Sequence, residues 1–138
     1  MKRILVMCTG NSTRSQMAQG YLQHFAGNRA QVFSAGVETH GLNLKAVQIM
    51  ADDGIDISHH TSNHVSEYAG ISFDYVITVC DHAQERCPIW LGNATRIHQN
   101  FTDPSKATGS VEEIWNSYKS VRNEIRDFSL HFAQKELS

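Results

Sequence analysis

The segment VMCTGNSTRSQMAQG, residues 6–20, sets a cysteine at position 8 and an arginine at position 14 around Thr9, Gly10, Asn11, Ser12 and Thr13. The first N–H groups of a helix beginning here have no internal partners. A small-residue loop in front of them turns further N–H groups inward and makes a concave nest for an anion. Gly10 is read as the position that permits tight curvature. Arg14 adds a planar fork able to grip two oxygens of a tetrahedral dianion. At the floor of such a nest the positive potential favours the thiolate of Cys8, making it a nucleophile rather than a passive core residue. Cys8 would attack a phosphorus-like centre in line while the amides of residues 9–14 and Arg14 hold the equatorial oxygens. Ser15 is placed to donate to the Cys8 sulfur, and Asn11 to pin the loop through side-chain to backbone bonds.

The elements that must position these groups follow from the apolar pattern. RILVMC (3–8) is a nearly unbroken apolar run, as expected of a central parallel strand covered on both faces. From Ser15, residues Met17, Ala18, Tyr21, Leu22, Phe25 and Ala26 recur at helical spacing, with a stop at Gly27 and Asn28. A second strand is expected over 30–36, then a helix carrying Ala46, Val47, Ile49 and Met50 and ending near Gly54. Residues 56–70 read as loop with a short helix, 73–80 as a buried strand ending in Cys80, and about 95–99 as a weaker strand. Pro104 and Gly109 break the pattern over 102–110. In the last helix Val111, Ile114, Trp115, Tyr118, Val121, Ile125, Phe128 and Phe132 form one apolar stripe, with Lys119, Arg122, Glu124 and Arg126 expected to face away. Ligands in open α/β sheets collect beyond the carboxyl ends of the strands. Cys8 and Cys80 both stand at such an end.

The whole chain narrows the function classes. Its 138 residues suit one domain over 1–138. Twelve basic against fourteen acidic side chains give a net charge of −2, so no long-range field favours nucleic acid or an anionic membrane. Neither is expected as a partner, and an anion must be captured locally. The apolar run after MKR is too short for a secretory signal or a membrane span, so a cytoplasmic protein is expected, and a monomer. Three cysteines form an odd set in a chain large enough to fold without staples, which favours thiol chemistry over a disulfide scaffold. Cys8, Cys80 and Cys87 lack a close C-x₂-C pair. No metal or other cofactor is expected, and His59, His60, His64 and His82 are read as surface or local hydrogen-bonding groups.

CTGNSTRS resembles the phosphate loop of the low-molecular-weight tyrosine phosphatase fold, and TDP (102–104) resembles that fold's general-acid loop. SAGVETHG (34–41) and VITVCDHAQERCP (76–88) are more closely similar to the thioredoxin-coupled arsenate reductases built on the same fold. The resemblance runs from about residue 3 to 130. It implies an α/β three-layer sandwich with a four-stranded parallel sheet, arsenate and related tetrahedral oxyanions as ligands, and thioredoxin as the reductant, although a glutaredoxin-type donor fits the sequence equally.

Arsenate and phosphate share charge and shape, so the nest alone does not choose between them. Arsenate reduction needs two electrons, and a second thiol supplies them. The resemblance implies that Cys80 attacks Cys8 to form a disulfide, after which Cys87 attacks Cys80 and leaves a Cys80–Cys87 disulfide for the reductant. A helix over 80–87 would hold those two cysteines roughly 10 Å apart, beyond the ~4.4–6.8 Å Cα separation of a disulfide, so the segment must deform. Asp103 is the implied general acid. Ser105 and Lys106 follow Pro104 where tyrosine phosphatases of this fold often carry aromatic residues, and Thr13 replaces a further loop cysteine found in some reductases. Certain relatives hold potassium near Asn11 and Ser34 with two acidic side chains. The matching positions here are the neutral Gln19 and Asn63, so no potassium requirement is expected. A low-molecular-weight tyrosine phosphatase using Cys8, Arg14 and Asp103 is the alternative. A catalytically silent phosphoprotein-binding module needs neither the thiolate nor the acid.

Overall fold

A parallel strand covered on both faces has no polar side to present, and the first strand shows it. In β1 (Lys2–Cys8) the last five residues are buried. The side chains alternate: Ile4, Val6 and Cys8 enter one apolar cluster, and Leu5 and Met7 enter a second on the opposite face. The computed structural model describes residues 1–80, 90 and 92–137. β1 pairs in parallel with β2 (Ala30–Gly36) and β3 (Tyr75–Thr78), and β3 with β4 (Thr95–His98), giving the order β2-β1-β3-β4. The strand expected over 73–80 is thus shorter, with Phe73 and Cys80 buried beside it and Val79, just past its end, donating its N–H to the Met7 carbonyl at 3.0 Å.

Helices α1 (Arg14–Ala26), α2 (Leu44–Asp52) and α3 (Val111–Glu136) cover the face that holds Ile4, Val6 and Ile77. Gly27 ends α1 at φ 59°, where a side chain would be strained. The side chain of Asn43 caps α2 by accepting from the N–H groups of Lys45 and Ala46. A reciprocal pair between Ser110 and Glu113 caps α3. On the second face a 3₁₀ turn (Val65–Tyr68), Ile71, Phe73 and Trp90 form the outer layer over Leu5, Met7 and Val76. The Phe73 ring meets Phe33 and Trp90 edge-on at 5.5 and 5.4 Å. The three-layer, four-stranded parallel architecture is the one the resemblance implies.

The stripe on α3 holds through Tyr118, Val121, Ile125 and Phe132, all buried. Two positions differ. Val111 is 85% exposed, because it starts the helix before the stripe reaches the core. Arg122 does not face away: it lies between α3 and α2, donates to the Ile49 carbonyl at 3.0 Å and sits 3.5 Å from the Asp52 carboxylate. Buried guanidinium is tolerated there because both its charge and its donors are met.

Asp53, at the end of α2, ties the three helices together. Its carboxylate accepts from the Tyr21 hydroxyl at 2.6 Å and from Arg126 at 3.1 Å. Burial and the adjoining carboxylate hold the Tyr21 phenol well above its usual range. The phenol and Arg126 in turn hold Asp53 below the ordinary carboxylate range. Asp53→Ala is expected to lower the unfolding free energy by about 1–3 kcal/mol and Tyr21→Phe by about 1. Urea denaturation measures both, and equal stability of Asp53→Ala and wild type would refute the tie.

Candidate functional site

Beyond the carboxyl end of β1 the chain turns through residues 9–13 into α1. The left-handed residue in that turn is Asn11, at φ 47°, and not Gly10. Asparagine tolerates this conformation because its side chain can bond locally. Its buried amide Nδ2 donates to the hydroxyls of Ser15 and Ser34 at 2.8 and 3.0 Å, and its Oδ1 accepts from the Asn63 N–H at 2.7 Å. One side chain therefore joins the loop to α1, β2 and the segment before the Val65–Tyr68 turn.

The end of β2 comes so close that Gly36 is required. A Cβ there would stand 2.6 Å from the Thr9 carbonyl oxygen and 2.9 Å from the Asn11 nitrogen. Backbone bonds from Glu38 to Thr9 and from His40 to Gly10, both at 3.0 Å, then engage the loop's outward carbonyls. At the start of α1 the Thr13 side chain makes no cap and the first turn holds no acidic residue. The helix N-terminus thus faces the concavity with its positive end uncompensated by a carboxylate of its own first turn.

That concavity is a cavity of about 290 Å³ lined by Cys8, Thr9, Gly10, Arg14, Asp103 and Lys106, among others. Cys8 is buried to 3% exposure, and its sulfur lies 3.1 Å from the Ser15 hydroxyl. Ser12 and Thr13 also line the cavity, so every residue from 8 to 14 except Asn11 reaches it. Arg14 is buried, donates to the Phe101 carbonyl at 3.2 Å and stands 3.6 Å from the Asp103 carboxylate. Asp103 is itself held by the turn it begins, since its Oδ1 accepts from the Ser105 N–H and hydroxyl at 3.0 and 2.7 Å. A loop some ninety residues away thereby brings a carboxylate against the arginine and into the cavity of Cys8.

Cys80 is fully buried and belongs to the same apolar cluster as Cys8. Met7 pairs with Thr78, so the two cysteines leave neighbouring strands at the same end of the sheet. Cys8 is a free thiol and Cys80 is disulfide-bonded, so the bond of Cys80 is not to Cys8. Cys87 and His82, with the expected deformation of 80–87, lie outside the described residues. Among the described residues no three histidine, cysteine or acidic side chains are grouped to hold a metal ion.

A second network backs the loop. Buried Gln16 donates from Nε2 to the carbonyls of Asn11 and Thr61 at 3.0 and 2.9 Å, which turns its Oε1 toward His60 Nδ1 at 3.0 Å. The Nδ1 of His60 therefore carries the hydrogen. Gln19 and Asn63 are also engaged: Gln19 Oε1 accepts from the Ser34 hydroxyl at 2.6 Å, and Asn63 Nδ2 donates to Glu67 at 3.1 Å. His64 caps the Val65–Tyr68 turn, as a local hydrogen-bonding group.

A family model described as low molecular weight phosphotyrosine protein phosphatase matches residues 3–137. The arsenate reductase of Bacillus subtilis is 42% identical over 133 residues, covering 96% of each chain. That of Halalkalibacterium halodurans is 45% identical over 124 residues, covering 90% of this chain and 89% of its own. The chain belongs to the arsenate reductase family on the low molecular weight phosphatase fold. A solved structure titled "An arsenate reductase in the phosphate binding state" covers all of both chains at 25% identity with a TM-score of 0.82. Vibrio vulnificus Wzb, solved with benzylphosphonate, shares the fold at 17% identity and a TM-score of 0.76.

Within this family member, sequence spacing alone did not single out Gly36 as a close-approach residue, nor the Gln16–His60 pair. The signal for the first was the unusual adjacency of small residues in SAG (34–36). Gln16 gave none, since a glutamine in a helix's first turn is ordinarily solvated. His60 titrates from an ordinary 6.5 down to about 4, because burial disfavours the cation and nearby His59 adds to the effect, against a smaller opposing pull from Asp56. Between those values the unfolded chain takes up a proton that the folded chain refuses. Stability is therefore expected to fall as pH drops from about 6.5 toward about 4 and to be insensitive to this group above that window. The carboxylates held low here, Asp53, Asp56, Glu67 and Glu113, lose their contribution at lower pH still. Urea denaturation of wild type and His60→Gln at pH 7 and 5 isolates the histidine, and the variant should lose less stability between them. An equal loss in both proteins would show that His60 does not carry the effect.

Proposed function

We propose that this chain reduces arsenate to arsenite by a relay of three cysteines. The Cys8 thiolate attacks As(V) held by the loop amides and Arg14, and an arsenate oxygen leaves with a proton from Asp103 as water or hydroxide. Ser15 donates to the sulfur and holds it in line. Cys80 then attacks Cys8 sulfur: the S–S bond forms, the As–S bond breaks, and its electron pair reduces arsenic to As(III), which departs as arsenite. Cys87 attacks Cys80 sulfur, releasing the Cys8 thiolate and leaving a Cys80–Cys87 disulfide. Thioredoxin, an external dithiol, returns both cysteines to thiols.

The observation that carries this reading is the pairing of thiols at one sheet end. Cys80 is buried in the same cluster as the cavity cysteine, one strand away, and is disulfide-bonded while Cys8 is free. Hydrolysis of a phosphocysteine needs no such neighbour. The relatives at 41–45% identity named arsenate reductase support the same substrate. Against the phosphotyrosine alternative, the turn that closes the cavity presents Ser105 and Lys106 and no aromatic ring to receive a phenyl group. No helix among the described residues is long and apolar enough to cross a membrane, which fits an enzyme served by an intracellular dithiol.

Arsenate-dependent oxidation of reduced thioredoxin, set beside glutaredoxin, tests the relay in wild type, Cys80→Ser and Cys87→Ser. Both variants should lose multiple turnover by at least about a hundredfold, and Cys87→Ser should accumulate a Cys8–Cys80 disulfide only with arsenate present. Phosphatase turnover undiminished in both, without arsenate-driven oxidation by wild type, would favour the alternative. Asp103→Asn is expected to lower kcat for arsenate by about 10²-fold while phosphate binding is largely retained. Unchanged turnover would remove Asp103 from the mechanism.

A further inference from the structure

The carbonyls of residues 9–12 are all met by donors from outside the loop. Glu38 and His40 N–H groups bond to those of Thr9 and Gly10, Gln16 Nε2 to that of Asn11, and the Asn43 N–H to that of Ser12 at 3.1 Å. A trans peptide plane sets its N–H against its C=O, so the bond from Asn43 also sets the direction of the Thr13 N–H. Ser12 and Thr13 both line the Cys8 cavity. Asn43 differs from the other donors in what its side chain does. Its Oδ1 accepts from the Lys45 and Ala46 N–H groups at 2.9 and 3.1 Å, and its Nδ2 donates to the Tyr118 hydroxyl at 3.1 Å. Tyr118 is buried on α3, and its neighbours Ser117 and Val121 line a groove with Thr102, Asp103 and Pro104, so the acid turn packs on the same stretch of α3. Burial raises the phenol above its ordinary range, against the lowering effect of the Asn43 bond and with a smaller push from the Asp103 charge, which leaves its oxygen a neutral acceptor.

We propose that Asn43 and Tyr118 are positioning residues for the bound oxyanion: the phenol fixes the Asn43 amide, Asn43 fixes the Ser12–Thr13 peptide, and that peptide presents the Thr13 N–H to the anion. Neither side chain is among those lining the cavity, so both act through the loop. The cap bonds alone hold Asn43 to α2 but do not fix α2 against α3. Arg122 ties the C-terminal half of α2 to α3 at the Ile49 carbonyl, and the Asn43–Tyr118 bond ties the N-terminal end, from which Ser12 is held. Alignment matters because an N–H bonded to an anion is a charge-assisted donor that weakens steeply as its angle opens. A donor aimed in advance costs no reorganisation when the anion arrives. The tie also places the loop and the acid turn on one helix, so the two sides of the cavity keep a common reference. This inference rests on the oxyanion site proposed above.

Calorimetric sulfate affinities should be compared for wild type, Tyr118→Phe, Asn43→Ser and the double variant. Tyr118→Phe keeps the packed ring, and Asn43→Ser keeps a side-chain oxygen at the cap, so each removes the tie and leaves the elements in place. Each single variant is expected to bind sulfate about threefold more weakly, and the double variant by about the same factor, because both substitutions remove one bond. In steady state each should raise the arsenate KM about threefold with kcat largely kept, as for an interaction made alike in ground and transition states. A merely structural role would lower the thermal midpoint and leave sulfate affinity and KM of the folded protein at wild-type values. Wild-type affinity in either single variant overturns the proposal, and so does a double variant weakened about ninefold, which would reveal two independent effects. Absence of sulfate binding by wild type removes the oxyanion site itself, while binding with unchanged variants removes only the tie.

Discussion

A loop that turns its amides inward must leave its carbonyls outward and its backbone strained, and everything around this site serves to hold that arrangement. The junction is Asn11. Its left-handed backbone lets the chain reverse between β1 and α1, and its buried amide ties Ser15, Ser34 and Asn63 to one point. Gly36 permits the end of β2 to press against the same loop, and Glu38 and His40 bond the carbonyls that the inward amides leave behind. The shape of the loop is thus less a property of the loop itself than of three segments packed on it. A strained backbone persists only when its surroundings over-determine it.

Charge is arranged around that junction with the same economy. The chain is net negative, yet buried positive groups converge at one sheet end: the N-terminus of α1, and Arg14 held by the Phe101 carbonyl and Asp103. A buried guanidinium would be costly unpaired, and the Arg14–Asp103 contact offsets that cost. Asp103 gains a double role from its place at the start of a turn. Its Oδ1 caps the turn, and its Oδ2 faces the arginine.

The proposed thiol relay would depend on topology. Parallel pairing of β1 with β3 sets Cys8 and Cys80 at one end of adjacent strands, both inside the apolar cluster. A relay of thiols needs closeness between residues distant in sequence and shielding from adventitious oxidants, and a central parallel sheet supplies both. The relatives named arsenate reductase at 41–45% identity span nearly the whole chain.

By itself the sequence determined the elements and the inventory of reactive groups. Unbroken apolar runs declared β1 and β3, helical periodicity declared α1 and most of α3, and small residues between Cys8 and Arg14 declared a tight loop between β1 and α1, because these signals are local and periodic. Its errors fell where local pattern meets tertiary packing. Arg122 looks solvated by spacing and is buried against α2; Val111 fits the stripe and is exposed; Gly10 looks like the flexible residue, whereas Asn11 takes the left-handed turn. Only the tertiary structure decided that Asp103 meets Arg14, that Gln16 and His60 brace the loop, and that Glu38 and His40 line its cavity. Those contacts join residues tens of positions apart, and no periodicity along a chain encodes which distant surface will be pressed against it.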